Sequence, residues 1–201
     1  MRLGIFGGSF DPVHFGHLLL AEYCREHCGL DRVWLMPAAV PPHKRQQRLT
    51  LDRQRVEMLE LAIAGHSALE VSTAEIDRGG VSYTVDTLQT IAEQRPDAEL
   101  FLLMGGDSLE DLPGWRRADE VCRLATPVIV RRHGSPEPDV QVLAEVASAG
   151  RLADIARQVA PMPRIELSSS EIRRRVAAGQ SIRYQTPRAV EEYIRASGLY
   201  R

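Results

Sequence analysis

The chain of 201 residues is 44% hydrophobic and 26% charged, enough apolar material for one substantial core and too much for a disordered polypeptide. Basic and acidic residues nearly cancel, for a net charge of −2, so no global field draws the protein to nucleic acid or an anionic membrane, and no run approaches the ~20 apolar residues of a membrane-spanning helix. Three cysteines without paired C-x-x-C spacing make neither a closed disulfide framework nor a metal ribbon; a reduced, cytoplasmic chain without a signal peptide is expected.

Leu3 to Phe6 is a short apolar run halted by Gly7-Gly8, and Val13 to Cys28 carries helical spacing, with Asp11 suited to cap that helix and Pro12 to open it. Arg32 to Met36 reads as a second strand stopped by Pro37. The segment 38–48, with Pro41-Pro42, can be neither helix nor central strand. A helix from Thr50 or Asp52 through Ala64 follows, then a strand at Leu69 to Ser72, a helix at Thr84 to Gln94, a strand at Glu99 to Met104 closed by Gly105-Gly106, and a strand at Thr126 to Val130. Strands alternating with helices predict a doubly wound parallel α/β sheet. Beyond Arg131 a Gly/Pro-rich loop at 134–138, one or two helices up to Val159, a short strand at Arg164 to Leu167, and helices from Ser169 and Pro187 predict a helical C-terminal portion, 132–201. It is expected to pack on the 1–131 sheet core as one domain, since no linker marks a boundary.

Ligands of such sheets sit at the carboxyl ends of the strands, which directs attention to Gly7-Gly8-Ser9-Phe10-Asp11-Pro12-Val13-His14-Phe15-Gly16-His17. Glycines there let the backbone approach a ligand, and a helix N-terminus offers N–H groups to phosphate. His14 and His17 are three apart, so they share a face that Gly16 keeps thin. They fit capping or surface residues, part of a metal site, or two donors to one anion. A metal would want a third ligand, and neither G-x-x-x-x-G-K-[ST] nor G-x-G-x-x-G is present, which argues against a P-loop kinase or an ordinary dinucleotide oxidoreductase.

Ser168-x-x-Glu171 is by itself a capping box, with Ser169 and Ser170 inside it. Arg173 faces the positive end of that helix, which is unfavourable unless an anion sits there too. Arg174 and Arg175 fan away from it by about 100° each and read as surface. Lys44, the single lysine beside 24 arginines, lies in the Pro-rich loop after the second strand. It is either a solvated side chain or a compact ammonium suited to a phosphate.

These residues carry a resemblance. The first motif looks like the signature of the His-x-Gly-His nucleotidyltransferase superfamily. Pro41-Pro42-His43-Lys44, Ser82-Tyr83-Thr84-Val85-Asp86-Thr87-Leu88, Gly105-Gly106-Asp107, Trp115, Ser168-Ser169-Ser170-Glu171-Ile172-Arg173 and a tail with Tyr193-Ile194 and Gly198-Leu199-Tyr200 make nearly the whole chain similar to the bacterial nicotinate-mononucleotide adenylyltransferases. The chain departs from the family in having Ser170 where Thr is usual; both carry a hydroxyl.

The resemblance implies transfer of the adenylyl group of ATP to nicotinate mononucleotide, with release of pyrophosphate and with Mg²⁺ carried by ATP rather than by dedicated protein ligands. It implies His14, His17, Lys44 and Arg173 as catalytic phosphate contacts. Gly7, Gly8, Ser9, Phe10, Gly16, Gly105, Asp107 and Ser168 to Ser170 would complete the ATP site. Gly8, Ser9, Lys44, Tyr83, Thr84, Asp107 and Trp115 would hold the mononucleotide, with Trp115 stacked on the pyridinium ring. Core packing for Trp115 and helix capping for Asp107 are the structural alternatives. Rival readings are a related nucleotidyltransferase with another acceptor, a nucleotide-sensing module without turnover, and a metalloprotein built on the two histidines.

Overall fold

A computed structural model describes residues 1–42 and 49–201. The described residues form a six-stranded parallel sheet of order β3-β2-β1-β4-β5-β6, with β1 Arg2–Gly8, β2 Arg32–Pro37, β3 Leu69–Val71, β4 Glu99–Gly105, β5 Thr126–Arg132 and β6 Val159–Met162. The helices are α1 Phe15–Cys28, α2 Asp52–Ile63, α3 Ala74–Arg78, α4 Thr84–Gln94, α5 Gly106–Asp111, α6 Ala118–Leu124, α7 Ala149–Ala156, α8 Ser169–Ala177 and α9 Arg188–Ala196. Neither side of the sheet is left to solvent, as a parallel sheet requires.

Side-chain alternation along the central strands divides the core in two. Phe6, Phe101, Leu103 and Val128 pack with Ala21 and Cys24 of α1, Met58 and Leu59 of α2, Ile172 of α8 and Val190 of α9. Leu3, Ile5, Leu102 and Met104 point the other way, onto Val85 and Leu88 of α4, Val121 of α6 and Ile155 of α7. Strand order reverses between the neighbours β1 and β4, and the crevice beyond their carboxyl ends is the expected ligand position in such a sheet.

Three predicted elements are corrected. Gly7 and Gly8 do not end the first strand; they continue it and pair with Met36 and Pro37. Asp11 and Pro12 do not start α1, whose N-cap is His14. The Asp11 carboxylate is already engaged, accepting from the Tyr200 hydroxyl at 2.6 Å and the Thr50 backbone N–H at 3.2 Å, so it cannot cap the helix. The strand expected at Arg164–Leu167 is absent among the described residues, and the sixth strand lies earlier, at Val159–Met162. There Ala160 and Met162 bury one face against β5, and Pro161 is tolerated because β6 is an edge strand. The 132–201 stretch therefore contributes a strand to the sheet as well as helices. Finally, α3, α5 and α6 have no counterpart in the predicted elements; at five, six and seven residues they are too short to carry a clear helical period.

Candidate active site

The turn after β1 is held in place from the far end of the chain. Ser169 donates from Oγ to the Pro12 carbonyl at 2.8 Å, Arg173 Nη1 to the Asp11 carbonyl at 2.7 Å, and Thr186 Oγ1 to the Val13 carbonyl at 2.8 Å. Arg173 also reaches Ser170 Oγ at 3.2 Å, while Ser168 caps α8 by accepting from the Glu171 backbone N–H at 3.2 Å. The predicted serine motif and Arg173 are thus brought against the His14–His17 turn. Arg174 instead pairs with Glu171, and Arg175 donates to the Ser181 carbonyl, consistent with surface roles.

The two imidazoles stack, with ring centroids 3.7 Å apart and planes 23° from parallel. The backbone N–H of His14 donates to His17 Nδ1 at 3.2 Å, so a neutral His17 carries its proton on Nε2, as a donor. A Cβ at position 16 would stand 3.0 Å from His14 Nδ1, so a side chain there would crowd the stack. Phe10, expected to touch ATP, is fully buried and packs edge-on against His17 at 5.0 Å. Its ring supports the imidazole from behind and is out of reach of a ligand. Gly8 in turn accommodates Phe10, whose ring a Cβ at position 8 would meet at 3.0 Å.

His14 is buried, and its Nδ1 makes no hydrogen bond with the described residues. Loss of hydration outweighs the opposing backbone hydrogen bond and lowers its pKa to about 4, so the ring is neutral at pH 7. An unfolded histidine would protonate near 6.5, so the depressed folded value contributes stability that is complete above pH 6.5 and lost as pH falls through about 4. Urea titrations at pH 7 and pH 4 should differ by up to about 3 kcal/mol more in the wild type than in His14→Gln.

Beside the turn a cavity of about 660 Å³ opens beyond the β1 and β4 ends. Gly7, Gly8, Ser9, Tyr83, Thr84 and Trp115 line it, which places six expected mononucleotide or ATP residues on one wall system. Thr84 is the first residue of α4, so backbone N–H groups of its opening turn are available to an anion. Trp115 is half-buried, with one side packed on the α4/α6 core and the other on the cavity, so core packing and ligand contact coexist. Asp107, by contrast, is exposed on the first turn of α5 and does not line the cavity; Ser108 and Asp111 of the same helix do. Gly105 is the N-cap of α5 and is likewise not among the lining residues. Lys44, with His43 and Arg45, lies outside the described residues. No group of three or more His, Cys, Asp or Glu side chains suited to a metal ion occurs among the described residues.

Sequence reasoning missed four residues here. Glu75 of α3 is a buried carboxylate on the cavity wall, accepting from Thr87 Oγ1 at 2.7 Å, with Arg78 donating to the same hydroxyl at 2.9 Å. Arg116 also lines the cavity, as do Ser108 and Asp111. Single polar residues of this kind read as solvated surface, and only the folded chain sets these four around one cavity.

The Cytidylyltransferase-like family model matches residues 5–175. A probable nicotinate-nucleotide adenylyltransferase of Thermomicrobium roseum is 45% identical over 200 residues, spanning 100% of this chain and 92% of that protein. One of Thermus thermophilus is 43% identical and is covered end to end, 100% of each chain. Among solved structures, Plasmodium falciparum nicotinic acid mononucleotide adenylyltransferase complexed with NaAD aligns with a TM-score of 0.74 over 99% of this chain and 97% of its own, at 17% identity, a likeness of fold.

Proposed function

Since the chain belongs to the nicotinate-nucleotide adenylyltransferases of the cytidylyltransferase-like family, we infer that it joins nicotinate mononucleotide to the AMP moiety of ATP, giving nicotinate adenine dinucleotide and pyrophosphate. The observation that carries this reading is the junction of two features on one turn: a cavity walled by Tyr83, Thr84 and Trp115, and the stacked His14–His17 pair backed by Arg173. The first suits an aromatic ring with a carboxylate, the second a polyphosphate.

In the reaction a phosphate oxygen of the mononucleotide forms a bond to the α-phosphorus of ATP while the bond from that phosphorus to the bridging oxygen breaks and pyrophosphate departs. The attacking phosphate is anionic at neutral pH, so the residues have no proton to remove; they align two phosphates and offset their charge. His17, with its donor at Nε2, is assigned to the α-phosphate, where negative charge grows in the transition state. His14 and Arg173 serve the neighbouring phosphates. A phosphate beside the buried imidazole of His14 favours its charged form, opposing the desolvation that keeps it neutral. Lys44 is assigned to the acceptor phosphate on family resemblance alone. Mg²⁺ carried by ATP would supply charge neutralisation, with no protein ligands assigned to it. The whole chain is taken as one nucleotidyltransferase domain working in the cytoplasm.

Steady-state pyrophosphate release with ATP and either nicotinate or nicotinamide mononucleotide tests the reading. Turnover with a clear preference for the acid is expected. Tight ATP binding with no product from either acceptor would replace the enzyme by a nucleotide-binding module.

A further inference from the structure

Among the described residues, the charge on the wall of the acceptor cavity is unbalanced for the substrate proposed. Glu75 and Asp111 line it, and an incoming ring carboxylate would meet both as like charges. Among the described lining residues the sole cation is Arg116. Its guanidinium lies over the Tyr83 ring, 4.7 Å from the centroid, which fixes it beside the opening turn of α4. Its neighbour in sequence is Trp115, so one short segment places an aromatic face and a positive charge at the same end of the cavity. The ion pair that Arg116 makes is long, 3.4 Å from Nη1 to an Asp86 carboxylate oxygen, on a group with five N–H donors.

We propose that Arg116 is the specificity-determining residue for the acidic pyridine ring: its guanidinium, shelved on Tyr83, attracts the ring carboxylate and thereby discriminates nicotinate from nicotinamide mononucleotide. This rests on the adenylyl-transfer reading given above. Specificity is a difference between two affinities, and the same geometry supplies both sides of it. With Arg116 in place the carboxylate gains a counter-charge. Without it, Glu75 and Asp111 penalise the acid and leave the neutral amide untouched. Asp86 competes with the substrate for the guanidinium and holds it by a long ion pair in the empty site. Because the carboxylate is remote from the reacting phosphates, the interaction is equally present in ground and transition states and acts on KM.

The test compares kcat and KM for the two mononucleotides in wild type, Arg116→Gln and Arg116→Lys. Arg116 is half exposed, with 52% of its side chain open to solvent, so the variants are expected to fold; thermal midpoints confirm this before the kinetics are read. In Arg116→Gln, kcat/KM for the acid should fall about tenfold or more through KM, with the amide held within about twofold, and Arg116→Lys should recover part of the loss. An equal fall for both substrates would assign Arg116 a merely structural role and overturn the proposal, as would unchanged discrimination. Failure of the wild type to turn over either mononucleotide would instead overturn the underlying reaction, a result visible before any variant is made.

Discussion

His17→Ala should lower turnover by about 10² to 10³ while leaving the fold in place. The magnitude is that of one preorganised donor aimed at developing charge, removed from a site where water cannot reproduce its placement. The geometry makes His17 the sharper target of the pair. Its Nδ1 is occupied by the His14 backbone N–H, its ring is sandwiched between His14 at 3.7 Å and Phe10 at 5.0 Å, and its proton is therefore fixed on Nε2. A group so constrained has little entropy to lose on meeting a phosphate, which is why its loss should appear in kcat more than in the KM of either substrate. Rapid-quench or steady-state pyrophosphate release, read beside the thermal midpoint, checks this. Near-normal turnover in a folded variant would remove the assignment.

Arg55→Met should destabilise the protein by about 3 to 5 kcal/mol, the largest stability effect expected of a charged residue in this chain. Arg55 is fully buried in α2 and donates from Nε to the Thr50 carbonyl at 3.2 Å, from Nη1 to the Ser9 carbonyl at 2.8 Å and from Nη2 to the Ala38 carbonyl at 2.7 Å, with Asp52 as its counter-ion. One planar group therefore ties the turn after β1 to the chain leaving β2 and to the start of α2. Methionine fills much of the volume but takes the donor from one buried and two partly buried carbonyls, and a buried loss of this kind costs about 1 to 3 kcal/mol. Lysine keeps the charge yet cannot fork to three acceptors, so Arg55→Lys should recover only a minor part. Urea denaturation midpoints at fixed pH separate these outcomes; a loss under about 1 kcal/mol would mean that water replaces the guanidinium without penalty.

Much of this molecule was readable from residue order, for reasons that the structure makes concrete. The strands at β1, β2, β4 and β5 announce themselves because both faces are buried and the runs are continuously apolar. Residues 84–94 form α4 with the bounds that Thr84 and Pro96 suggest. Local pattern put the two histidines and Gly16 at the ligand edge, the resemblance added the serine motif and Arg173, and the fold brings them together. What escaped was decided by distant partners. Nothing near Asp11 in sequence says that its carboxylate belongs to Tyr200 rather than to α1. The resemblance gives Phe10 to the ATP site, yet its ring is buried beside His17. Arg55 and Arg116 carry no local signal of their places; only the carbonyls gathered around the first and the cavity beside the second show them.

The turn at residues 11–13 has a further property that bears on how the protein is made. Its side-chain hydrogen bonds come from Ser169, Arg173, Thr186 and Tyr200, at sequence separations of 157, 162, 173 and 189 residues. Contacts of such span form only after a long loop has been closed against its entropy. The turn is therefore locked only after residues much later in the chain have been made. A nascent chain lacks these ties at the His14–His17 edge until α8, α9 and the stretch through Tyr200 have emerged and docked. The ties are thus withheld from partly made protein by topology alone.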